Sequence, residues 1–135
     1  MKKSHTIGYA ILSLVFLLVS HGTFSQSIKK GKFEKQNKSI TGTFEIVKKD
    51  GGTYVVLSDD FKTKSAPDLK IFLSKKTVAS VTGKNATKDA AFVAKLKKSK
   101  GGQSYKIPSN VSLANYKSIL IHCEEYGVFW GGSNL

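Results

Sequence analysis

Arginine is absent from this chain of 135 residues: its 22 basic side chains are all lysine, set against nine acids. Lysine is a strongly hydrated point charge, whereas bidentate recognition of phosphates or base edges favours arginine's planar fork. Cysteine occurs once, at Cys123. An intrachain disulfide, a Cys-x-x-Cys redox pair and a Cys-x-x-Cys-His haem attachment are therefore all excluded. The one methionine is Met1, and beyond residue 25 the one histidine is His122. One thiol, one imidazole and dispersed carboxylates do not make a metal-ligand cluster. No serine lies in a Gly-x-Ser-x-Gly elbow, the mark of one large class of hydrolases. The glycine pairs 51–52, 101–102 and 131–132 read as turns or strand ends. None opens a helix as a phosphate-cradling loop would. Length and pattern exclude a dinucleotide-binding dehydrogenase, so the residues point away from ordinary enzyme catalysis.

What is present begins with a leader. Lys2 and Lys3 precede an apolar run from Ile7 to Val19, followed by small and polar residues ending Thr23-Phe24-Ser25-Gln26. That is the order of a secretory signal, expected over residues 1–25 with cleavage near Ser25–Gln26. The run is shorter than the roughly 20 apolar residues that span a bilayer, and no transmembrane segment is expected after it. No cysteine stands just after it to take a lipid. About 110 residues remain, the length of one domain with a modest core. The leader holds only two of the lysines and no acid, so the remainder stays strongly basic. Such a balance suits either attraction to anionic envelope polymers or a solvated lysine surface. No nucleic-acid-binding motif accompanies it, and nucleic acid is not expected as a partner. Lysine without arginine and the Phe-Ser-Gln junction suggest a bacterial host, with the protein periplasmic, secreted or at the cell surface.

Residues 26–30 read as a flexible polar tail leading to a first short strand near Phe33. Thr43-Phe44-Glu45-Ile46 alternates polar and apolar residues, Lys48 to Gly52 makes a turn, and Thr53 to Leu57 completes a hairpin. Asp59 to Pro67 is a polar loop. Leu69, Ile71 and Leu73 alternate with Lys70, Phe72 and Ser74 as another strand. Thr87 to Lys100 fits two patterns. Thr87 as an N-cap, lysines late and Gly101 after the end suit a short helix. The alternation of Phe92, Ala94 and Leu96 with Val93, Lys95 and Lys97 suits a strand paired in a hairpin with Ser104 to Ile107. Ser118 to Cys123 is the strongest strand, followed by Glu124-Glu125 and a last run from Tyr126 to Trp130. The expected fold is all-β: a single antiparallel β-sandwich or barrel-like domain of about eight short strands.

Strand alternation puts Ile119, Ile121 and Cys123 on one side and Leu120 and His122 on the other. The first set is the expected core face, with Cys123 near the following turn. A free cysteine there is commonly a small buried hydrophobe. An odd thiol in an exported chain is otherwise paired with another chain or chemically employed. Glu124 and Glu125 bring no cation to activate a thiolate. His122 and Cys123 point to opposite faces and make a poor chelate.

Several segments, taken in order, resemble the electron-transfer DM-thirteen domain family. Ala66-Pro67-Asp68-Leu69-Lys70-Ile71-Phe72-Leu73 is similar to its Pro-Asp-Leu strand. Leu96-Lys97 through Gly102-Gln103-Ser104-Tyr105-Lys106-Ile107-Pro108 is similar to its Leu-Lys and Gly-x-x-x-Tyr-x-x-Pro segment. Tyr116 to Cys123 resembles its Tyr-x-Ser-x-x-Ile-x-Cys strand, and Val128 to Leu135 its terminal apolar segment. Gly42 and Phe44 fit the opening strand, so the resemblance runs over residues 31–135 and favours strand over helix at 87–100. His122 stands where the family often has an aromatic residue, and Trp130 and Ser133 replace phenylalanine and alanine.

The resemblance implies an exported accessory domain of a redox or electron-transfer system. In it, Cys123 would be a free thiol or would hold a prosthetic group such as haem; His122, a departure from the family pattern, is either a fortuitous polar substitution or a group supporting that site. Thiol chemistry by one cysteine proceeds through a mixed disulfide or a sulfenic acid. Haem ligation by one thiolate is chemically allowed. A separate redox partner protein would supply or take the electrons. The rival expectation is a non-catalytic envelope or cell-surface domain with Cys123 inert and a basic surface for anionic polymers.

Overall fold

The structure is a computed structural model that describes residues 25–135, so the leader expected over residues 1–25 lies outside the described residues except for Ser25. Two antiparallel sheets hold most of the chain. The first has the order β1-β4-β5-β9, with β1 Gln26–Lys32, β4 Thr43–Lys49, β5 Gly52–Leu57 and β9 Gln103–Lys106. The second has the order β2-β11-β10-β7-β8, with β2 Glu34–Lys35, β7 Leu69–Ser74, β8 Ala90–Lys95, β10 Ser118–Cys123 and β11 Val128–Asn134. A two-residue pair, β3 Ile40–Thr41 with β6 Lys62–Thr63, makes a third, small sheet. Single 3-10 turns occupy Val78–Ser80 and Leu113–Asn115.

Inward residues of the two large sheets meet in one core. Phe44, Ile46, Val55, Leu57 and Tyr105 come from the first, and Leu69, Ile71, Leu73, Ile119, Ile121, Cys123 and Trp130 from the second. This is the face-to-face packing of a β-sandwich, and burying each large aliphatic side chain stabilises it by roughly 1.5–3 kcal/mol. The β4–β5 hairpin turns on Asp50 and Gly51, both at positive φ (49° and 73°). Two such residues give the type I′ turn whose twist matches the flanking strands.

Three expectations are corrected. Residues 26–30 are not a tail: they belong to β1, which pairs with β4 from Gln26↔Lys48 to Lys32↔Thr43. Backbone hydrogen bonds hold β1, although nearly every residue in it is exposed, so no apolar pattern betrays it. Thr87 to Lys100 contains a strand, but β8 and β9 are not a hairpin. β8 pairs with β7 and β9 with β5, so the segment between them crosses from one sheet to the other. That crossing is pinned by the Lys97 amide donating to Tyr105 Oη (2.8 Å) and by Gln103 Nε2 donating to the Lys98 carbonyl (2.8 Å). Finally, Gly131 and Gly132 lie inside β11 and pair with Lys35 and Glu34. A side chain on Gly131 would run into the Glu34 carbonyl, so glycine is what lets β2 approach.

The second sheet is covered on both faces. All six residues of β10 are buried. Beneath the β7–β8 connection, Phe72, Leu120 and Phe129 pack with Val78, Val81 and Ala86 in a second, smaller core. Ser118 Oγ donates to the Lys76 carbonyl (2.6 Å), and the Val78 amide donates to Asn134 Oδ1 (2.9 Å), tying that connection to β10 and β11.

Candidate functional site

Cys123 ends β10, opposite Leu69 on β7 and Val128 on β11. Its thiol is free and fully buried in the main core, on the same face as Ile119 and Ile121, as strand alternation requires. The next four residues, Glu124 to Gly127, are an exposed turn in which the Gly127 amide donates to the Glu124 carbonyl (3.1 Å). The thiol therefore sits at the last protected position before a solvent-facing bend.

His122 points to the opposite face. It is 2% exposed, meets Phe72 edge-on at 6.1 Å between ring centroids, and its Nδ1 has no hydrogen-bond partner. Burial pushes its pKa below the ordinary 6.5; Glu124 and Asp68 pull the other way, and Lys70 adds to the lowering. Across the pair, Lys70 Nζ contacts Glu124 Oε2 at 2.5 Å and Asp68 Oδ1 at 3.4 Å. The hydrogen bond to Glu124 raises Lys70 above the usual lysine value, burial opposes it, and Asp68 adds to the rise. The Glu125 amide donates to Asp68 Oδ2 (3.1 Å), fastening the turn after Cys123 to the start of β7.

The two sequence candidates are thus back to back, and no chelate joins them. Among the described residues, no group of three or more His, Cys, Asp or Glu side chains is arranged to hold a metal ion. Sequence reasoning missed the ionic surround of His122. Asp68 and Lys70 were visible as part of the Pro-Asp-Leu strand, but their meeting with Glu124 depends on the β7–β10 register. It also missed the place of Trp130. The register slips between Ile121 and His122, so that Phe129 opposes His122 while Trp130 is the extra residue of β11. The bulge turns Trp130 into the main core and Phe129 into the smaller one. Trp130 Nε1 is buried without a hydrogen-bond partner, and Lys38 Nζ lies 5.9 Å from its ring.

Haem does not fit at Cys123. Ligation needs an open plane beside Sγ, and that space is filled by the core. Two surface grooves, of 390 and 410 Å3, are lined by the β4–β5 turn with Gln26 and by Asn37, Lys38, Gly83 and Gly127 to Phe129. Neither includes Cys123.

No curated protein and no solved structure matches the chain. The family model for electron transfer DM13 matches residues 32–135, the whole sandwich except most of β1. The chain, with its single cysteine closing β10, belongs to the electron-transfer DM13 family.

Proposed function

We propose that this protein is an exported accessory domain of a redox system, in which Cys123 serves as a shielded free thiol for a separate partner protein. The family assignment carries the redox-related role. The observation supporting the thiol is its place: buried, unpaired, and one residue from an exposed turn. Local opening of the β10–β11 turn would uncover Sγ without unfolding the sheet. The thiol then loses its proton to water, and the thiolate attacks one sulfur of a partner's disulfide. A mixed disulfide forms, and the partner's other sulfur leaves as thiolate. With no second cysteine in the chain, resolution falls to a thiol of the partner. Folding around Cys123 keeps the thiol from other oxidants between encounters.

Maleimide labelling of the native protein tests this reading. Under the proposal, labelling in buffer is slow, reaches one equivalent, and changes little at urea concentrations far below the unfolding midpoint. Labelling that tracks global unfolding alone would overturn it. That outcome favours a second reading, supported by the complete burial of Cys123 and by the excess of lysine. In it the protein is a non-catalytic envelope or cell-surface domain that holds anionic polymers. Retention on polyphosphate that falls steeply with salt would then be expected.

A further inference from the structure

β8 is the outermost strand of the second sheet. It pairs with β7 alone, and among the described residues no loop or other strand bonds to its free backbone edge. Phe92, in its middle, is 49% exposed; its ring lies 5.8 Å from Phe72, and Lys70 Nζ is 6.0 Å from its centroid. An unpaired edge of this kind is a template for another strand unless something guards it. Two guards are present. The β7–β8 register slips opposite Ile71 and Phe72, leaving Val93 as a bulge. Lys95 within the strand and Lys88, Lys97, Lys98 and Lys100 around it are exposed. The neighbouring acids are already engaged, Asp89 with Lys76 at 3.5 Å and Asp68 and Glu124 with Lys70.

A guard of one sign is selective. It repels a second copy of a chain with net charge +13, yet it attracts a strand that carries carboxylates. We infer that β8 is a docking edge for an acidic extended segment of a partner protein, added to the sheet as a sixth strand. Main-chain hydrogen bonds supply the affinity, an apolar side chain of the segment lies against Phe92, and flanking carboxylates meet the lysines. The surface includes neither Cys123 nor His122 and stands independently of the thiol reading.

Titration calorimetry with capped synthetic decapeptides tests the inference. The probe alternates glutamate with valine around one central phenylalanine. A second peptide of the same sequence is N-methylated at four consecutive central residues, which blocks both hydrogen-bonding edges. The first should bind, and the second should bind at least tenfold more weakly. F92E should weaken the first peptide at least tenfold, while K48E, on the other sheet, should change it less than twofold. Should F92E fail to fold, Phe92→Ser serves in its place. Equal binding of the two peptides, or full binding by the Phe92 variant, overturns the inference in favour of diffuse charge attraction. Sedimentation of the protein alone as a dimer that the Phe92 variant abolishes overturns it too, by making a second copy the occupant.

Discussion

The two faces of β10 differ in what covers them. Ile119, Ile121 and Cys123 face the opposite sheet, in a core fed by both layers of the sandwich. Leu120, on the other face, meets a single connection, whose Val78, Val81 and Ala86 complete a much smaller cluster, and His122 on that face packs against Phe72. A sheet covering can yield only by moving whole strands, whereas a loop covering can settle around a deletion. Burial of the strand is the same on both sides, yet the resistance to change should not be.

The sharpest break in that comparison is a pair of truncations. Ile121→Ala is expected to destabilise by roughly 3 to 5 kcal/mol and Leu120→Ala by roughly 2 to 3 kcal/mol, because only the second site can collapse. Urea unfolding of both variants measures the gap, and equal losses would erase the distinction. Next in size is Cys123→Ser, expected to cost about 2 kcal/mol by placing a hydroxyl where the core offers apolar neighbours, with Cys123→Ala milder.

A smaller effect separates the faces by pH. His122 has a folded pKa below its ordinary 6.5 because it is buried, so the unfolded chain takes up a proton first. Its contribution to stability is complete above about pH 6.5 and is lost as pH falls through the folded value. Thermal unfolding between pH 7 and 5 should show this decline, and His122→Phe should flatten it.

The inner side responds at the other extreme. Burial raises Tyr105 above its ordinary value of 10, while its hydrogen bond from the Lys97 amide opposes the rise. The unfolded chain therefore loses its proton first, and stability falls as pH climbs from 10 toward the folded value. Tyr105→Phe should remove that alkaline fall. It should also cost about 1 kcal/mol at neutral pH through the lost hydrogen bonds to Lys97 and Gln103.

The all-β class, the β4–β5 hairpin and the inward direction of Cys123 were legible in the sequence. Each rests on local information: an alternating pattern, an Asp-Gly turn, two isoleucines two residues apart. β1 was illegible because its side chains are exposed and only backbone bonds define it. The separation of β8 from β9 was illegible for a different reason. Alternation states which way a side chain points but not which strand lies alongside, and here the neighbours are distant in sequence. His122 was expected to point away from Cys123, and it does, but a polar residue gave no hint that its own face is sealed. The β7–β10 pairing sets Phe72 edge-on to its ring, and that neighbour lies some fifty residues away in sequence.

The β2–β11 pairing has a consequence for the order in which the protein can be made. β2 has one partner strand, and the pairing joins Glu34 with Gly132 and Lys35 with Gly131. The cell must therefore synthesise nearly a hundred further residues before the start of the second sheet can dock. Until then Ile119, Leu120 and Ile121 also lack one of their two flanking strands, β11. A sheet built this way stays unfinished while the chain emerges and closes late, when β2 and β11 meet.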